Sequence, residues 1–120
     1  MQAEKRPSVY IITNQRYGTF YTGVTSNLWS RICDHKNGIF EGFSKKYGLG
    51  QLVWYEHHPS MVSAIHREKR LKKWNRAWKI ELINAFNPDW HDLHEQIDDN
   101  LNFVTEFASR KVEPTDGWPA

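Results

Sequence analysis

Phe20-Tyr21-Thr22-Gly23-Val24-Thr25-Ser26-Asn27-Leu28-Trp29-Ser30-Arg31-Ile32-Cys33-Asp34-His35 is the stretch that decides how the rest of the chain is read. Phe20 to Thr25 is β-branched and aromatic, the composition of a short strand. Gly23 inside it marks a bulge or a close approach of another group to the backbone. Ser26 is the N-cap expected for a helix that lines up Leu28, Ile32 and His35 on one stripe. Arg31 and His35 are four apart and therefore project from one face of that helix, one turn from each other.

The neighbouring segments complete a small α+β unit. Ser8 to Thr13 is a β-branched run bounded by Pro7 and Asn14, and the turn residues up to Thr19 join it to Phe20–Thr25 as a hairpin. Asn37-Gly38 stops the first helix in the manner of a left-handed cap. Ile39 to Gly50, with three glycines and Lys45-Lys46, reads as an ordered basic loop, and Gln51 to His58 as a third strand closed by Pro59. His57 and His58 are expected at the surface. A second helix starts near Ser60 and puts Met61, Ala64, Ile65, Glu68 and Leu71 on one face. A third runs from Arg76 to Ala85 and is stopped by Asn87-Pro88. Asp89 is expected to cap a last short helix bearing Trp90, Leu93 and Ile97. The fold class is thus a three-stranded, mainly antiparallel sheet flanked by helices, one domain over residues 1–100, with a loose acidic tail over 101–120.

The chain has 120 residues, 39% hydrophobic and 14% aromatic, enough for one folded domain with a modest core. A lone Cys33 permits no intrachain disulfide, and no apolar run suggests a signal peptide or a membrane span, so a cytoplasmic protein is expected. The net charge of +2 conceals an asymmetry: Ser60 to Ile83 carries seven Lys or Arg, whereas Ile80 to Ser109 carries none. Two readings of that asymmetry stay open on charge alone, a nucleic-acid partner for the basic body and a merely solvated helix face.

Glu68 stands in the middle of an apolar stripe. Isolated buried carboxylates are costly, so it is partnered, neutral or metal-bound. A structural salt bridge to a nearby cation is the plain alternative to a metal. Tyr10 and Tyr21 are, in the same plain reading, ordinary strand aromatics, and His35 a favourable last-turn residue. His91 and His94, three apart with Asp92 and Glu95 nearby, imitate a metal site but lack a cysteine partner.

The pairing of Ser8-Val9-Tyr10 with Tyr21-Thr22-Gly23, followed by Arg31, His35 and Glu68, resembles the GIY-YIG endonuclease domain over residues 8–86. The resemblance is closest to its small stand-alone members, through Ala64-Ile65-His66-Arg67-Glu68-Lys69-Arg70-Leu71-Lys72-Lys73-Trp74. Ser8 and Thr22 depart from the glycine and isoleucine of the family name, at positions that carry no reactive side chain.

The resemblance implies a metal-dependent endonuclease that hydrolyses phosphodiester bonds in nucleic acid, DNA ahead of RNA. Glu68 would hold one Mg²⁺ or Mn²⁺, with waters in the remaining positions. Arg31 would contact the non-bridging oxygens of the phosphate as a planar fork. Tyr10, Tyr21 and His35 are the candidates for general base: a phenol needs its pKa of about 10 lowered, whereas an imidazole starts near 6.5. Lys36, Lys45, Lys46 and Lys72 are the cations expected to meet nucleic acid, and Gly23 is expected to be structural. A non-catalytic nucleic-acid-binding module on the same fold is the alternative, and a protein-interaction domain is a third.

Overall fold

A computed structural model of the chain describes residues 6–39, 42 and 46–97. Lys45 and the expected tail at 101–120 lie outside the described residues. The three strands are β1 (Ser8–Thr13), β2 (Phe20–Thr25) and β3 (Gln51–His57), in the spatial order β2-β1-β3. Both pairings are antiparallel, with Tyr10 opposite Gly23 on one side and Tyr55 on the other. Helix α1 (Leu28–Lys36) follows β2, and α2 (Met61–Lys73) and α3 (Arg76–Phe86) follow β3, with a single 3₁₀ turn at His94–Gln96. The fold class expected from the sequence is the one observed. Among the described residues, no helix is long and apolar enough to cross a membrane.

β1 is buried along its whole length because it is covered on both faces. Alternation of side chains divides it. Val9 and Ile11 join Ala64, Leu71, Trp74 and Ile83 under α2 and α3, whereas Tyr10 and Ile12 join Leu28, Ile32, Leu49 and Leu52 under α1. A register shift between Ile11 and Ile12 pairs them with Trp54 and Leu52, so Val53 is the extra residue of a bulge in β3. The central strand therefore turns a polar phenol, that of Tyr10, toward the helix that carries Arg31 and His35.

The helix starts follow side-chain caps. Ser60 Oγ accepts from the Ser63 N–H at 3.1 Å, and Asn75 Oδ1 from the Trp78 N–H at 2.9 Å. α1 corrects the sequence reading by one residue. Its cap is Asn27, whose Oδ1 accepts from the Ser30 N–H at 3.3 Å, because Thr25 Oγ1 already fixes the Asn27 N–H at 3.0 Å. Gly38 ends α1 at φ +67°, as a left-handed cap requires.

Of the last expected helix only the 3₁₀ turn His94–Gln96 forms, and Leu93 rather than Asp89 stands at its start. Trp90 sits at φ +56°, outside any right-handed helix, and Asn87 braces the turn instead. Asn87 Nδ2 donates to the carbonyls of Val53 (3.1 Å) and His91 (2.9 Å), and its Oδ1 accepts from the His91 N–H.

Candidate active site

Tyr10 and Gly23 face each other across β1 and β2. A Cβ on residue 23 would lie 2.4 Å from the Tyr10 hydroxyl oxygen and 2.5 Å from its Cζ, inside any allowed contact. Glycine is thus a steric requirement here, the close approach that the sequence suggested. The Tyr10 hydroxyl lies 2.9 Å from His35 Nε2, in a buried hydrogen bond between the central strand and the last turn of α1. The Tyr21 ring closes the group, with its centroid 6.3 Å from that of Tyr10 and 5.6 Å from that of His35.

Electrostatics sets the charge states. Burial pushes the Tyr10 phenol well above the ordinary phenolic range, and Tyr21 adds to this. Arg31 pulls the other way through its charge and a hydrogen bond, and the Glu68 charge raises the value again. His35 is lowered to about 4 by burial, then by the Arg31 charge, with Asp34 opposing. At neutral pH the imidazole is therefore uncharged and the phenol protonated, and in the tautomer with its proton on Nδ1 the ring accepts the Tyr10 O–H at Nε2. Tyr10, Tyr21, Arg31 and His35 form one constellation, and the charge of Glu68 reaches its phenol from α2.

Glu68 is buried between Ala64 and Leu71, as its place in the apolar stripe requires. Its Oε2 lies 2.5 Å from Lys72 Nζ, one turn on, and the Lys72 side chain is half exposed. A pair of this kind contributes only about 0.3–0.5 kcal/mol. Among the described residues, no group of three or more His, Cys, Asp or Glu is arranged so that it could hold a metal ion. The donors thus do not suit a zinc-type cage, while one hard carboxylate suits Mg²⁺ or Mn²⁺ completed by water and phosphate oxygens.

The other sequence candidates are spread more widely. Lys36 Nζ donates to Asp92, whose other oxygen accepts from the N–H groups of Leu52 (3.2 Å) and His94 (3.1 Å). Lys46 is exposed, with its ammonium 5.5 Å from the centre of the Tyr47 ring. His94 is buried against Trp29 and Cys33, while His91 stays at the surface, so the two do not converge.

His57 and His58 are buried rather than exposed, which overturns the surface reading. His57 Nδ1 meets Ser8 Oγ at 2.7 Å. His58 bridges Ser63 Oγ (2.5 Å) and Glu56 Oε1 (2.8 Å), and Arg67 Nε donates to that same oxygen at 3.0 Å. This buried network ties α2 to β3 one residue from Glu68 and fixes the helix that presents it. It also withdraws Arg67 from the basic surface. A signal was available: Glu56 and His58 share one strand face, and Ser63 and Arg67 share one helix face.

A family model described as the GIY-YIG catalytic domain matches residues 6–81. A UPF0213 protein of Clostridium perfringens is 36% identical over 67 residues, which is 56% of this chain and 72% of the relative. One from Syntrophus aciditrophicus is 35% identical over 72 residues, 59% of this chain and 82% of the relative. The solution NMR structure of a UPF0213 protein from Bacillus halodurans aligns with a TM-score of 0.47 at 26% identity, covering 72% of this chain and 92% of the other. The fold and the family match define a GIY-YIG catalytic domain, and the chain belongs to that family.

Proposed function

We propose that the protein is a metal-dependent endonuclease that hydrolyses phosphodiester bonds in nucleic acid, with DNA the first substrate to test. The observation that supports this best is the buried Tyr10–His35 hydrogen bond, with Arg31 acting on both groups. In the free protein Tyr10 is enclosed and Arg31 is hydrogen-bonded to its phenol. A substrate phosphate draws Arg31 onto its non-bridging oxygens, where the guanidinium fork is held by two parallel bonds. That movement opens the phenol to water and offsets the Arg31 charge, which after burial is the second cause of the lowered His35 value.

Tyr10 and His35 then act as one base. The Tyr10 hydroxyl proton passes to Nε2 while the phenolic oxygen takes a proton from the attacking water. The water oxygen bonds to phosphorus, the bond to the leaving oxygen breaks, and that oxygen takes a proton from solvent. Tyr21, half-buried at the mouth of the group, lines the water's approach. Glu68 is the residue that would hold Mg²⁺ or Mn²⁺, releasing Lys72 toward the substrate. When bound, such an ion supplies positive charge to the phosphoryl and leaving oxygens.

The Glu68–Lys72 ion pair favours one competing reading, a nucleic-acid-binding module without turnover, because the carboxylate that would hold the metal is already paired. Incubation with single-stranded, duplex, flap and RNA substrates, with Mg²⁺, Mn²⁺ or chelator, separates the two. Cleavage that requires metal is expected on at least one substrate. Tight binding without cleavage across the whole panel would replace the nuclease with the module.

A further inference from the structure

Beyond Glu68 the fold gathers cations where α2 gives way to α3. Lys72 lies one turn further along α2, Arg76 opens α3, and Lys79 stands one turn into it. Burial, then the charges of Lys72 and Arg76, hold the Lys79 ammonium below the usual lysine range, which places the three within electrostatic reach. Lys72 is paired with Glu68, but among the described residues neither Arg76 nor Lys79 meets a carboxylate. Arg76 instead donates to the carbonyls of Tyr17 (2.5 Å) and Gly18 (2.7 Å) and lies 4.2 Å from the centre of the Phe20 ring.

These contacts pin the β1–β2 loop against the start of α3 and enclose an open cleft of about 590 Å³. Tyr17 stands at its rim, 48% exposed. Its backbone is left-handed, at φ +58°, a conformation that is unfavourable for a non-glycine residue and persists only where surroundings enforce it. One such constraint is Trp90, itself at φ +56°, whose ring centroid is 4.9 Å from that of Tyr17. The Arg16 guanidinium lies 5.2 Å from the centre of the Tyr17 ring. The strain holds an aromatic ring in solvent at the edge of a cationic cleft. From there the edge strand β2 leads from Phe20 to Gly23, roughly 10 Å, to the position opposite Tyr10.

Arg76 and Lys79, which meet no carboxylate among the described residues, lie beside an exposed ring and suit a polyanion that carries flat, unpaired rings. Duplex bases are stacked on one another and offer no free face, and an acidic peptide would leave the tyrosine unused. We propose that this cleft binds a single-stranded nucleic-acid segment leading away from the phosphate at Arg31, with Arg76 and Lys79 on backbone phosphates and a base stacked on Tyr17. The inference rests on the nuclease reading for the identity of the strand. It adds a substrate class: nucleic acid with an unpaired stretch next to the point of cleavage.

The test is fluorescence anisotropy on the full chain over a range of salt, with one labelled oligonucleotide offered as a single strand and as a blunt duplex. Tyr17→Asn removes the ring yet accepts the left-handed backbone, and Lys79→Gln removes one charge; thermal melts verify that both fold. Tyr17→Asn is expected to weaken single-strand binding about tenfold, at unchanged salt slope, with a smaller loss for duplex. Lys79→Gln is expected to lower the single-strand slope by about 0.7. Single-strand binding equal to wild type in both variants, or an equal Tyr17→Asn loss on both ligands, would overturn the assignment. Cleavage by the wild type, read on the same preparations, distinguishes the two ideas. A cleaving wild type with indifferent variants overturns the cleft alone. Variant-sensitive binding without cleavage under any metal sustains the cleft and overturns the nuclease.

Discussion

Gly23→Ala is the smallest change that the geometry expects to be severe. The added methyl would sit 2.4 Å from the Tyr10 hydroxyl oxygen, where ordinary contact begins at 3.4 Å. Something must therefore move by about 1 Å, and the far atoms of Tyr10 are fixed by a buried ring and a 2.9 Å bond to His35. Overpacking of this sort costs roughly 1–3 kcal/mol, while a 1 Å displacement of a reacting group costs on the order of a hundredfold in rate. Urea unfolding should show the stability loss, and cleavage under metal the loss of rate. The control is the Tyr10→Ala background, which removes the obstructing ring. There Gly23→Ala should be neutral or slightly stabilising, since alanine restricts the unfolded chain. A Gly23→Ala variant with wild-type stability and activity, or one equally damaged in both backgrounds, would refute the steric account.

His35 should make the fold acid-sensitive. Its folded pKa of about 4 lies below the unfolded value of 6.5, so the unfolded state binds the extra proton first. Its contribution is fully present above 6.5 and is lost as pH falls toward 4, about 3 kcal/mol in all. Urea titrations at several pH values, repeated on His35→Gln, should show that sensitivity shrinking in the variant. Tyr10→Phe and His35→Ala should each lower kcat strongly yet combine with little further loss, because the two share one proton path; multiplicative losses would separate their roles. Arg31→Lys should keep the charge and still lose most activity, because the bidentate fork is gone. Wild-type turnover in that variant would remove Arg31 from the phosphate.

Much of the fold was legible because local chemistry and tertiary structure agree in it. Ser8–Thr13 and Phe20–Thr25 are strands by composition and strands in space, and Ser60 caps the helix that it precedes. The Gly23 signal was correct for a reason visible only in three dimensions, the phenol of Tyr10. Local rules failed where distant groups decide. Ser26 and Asn27 are both good caps, and Thr25 settled the choice. Trp90 fits a helical stripe, yet Asn87 and a ring contact with Tyr17 hold it left-handed. His57 and His58 look like surface residues until Ser8, Ser63 and Glu56 supply partners for them. The candidate site divides in the same way: Arg31 and His35 share a helix face by spacing alone, whereas the Tyr10–His35 bond spans 25 residues. Lys36 meets Asp92 across 56 positions, a pairing that no local pattern announces.

Glu68→Ala bears on the central claim most directly, measured as cleavage, nucleic-acid affinity and thermal stability beside a Mg²⁺ and Mn²⁺ titration of the wild type. The ion pair that it breaks is a helical one with a half-exposed lysine, so the change should alter stability by less than about 1 kcal/mol. Metal should activate the wild type, and Glu68→Ala should abolish cleavage at every metal concentration while binding nucleic acid as tightly or more tightly. A variant destabilised by roughly 3–5 kcal/mol, beside a wild type indifferent to metal, would instead make Glu68 half of a structural salt bridge and contradict the nuclease.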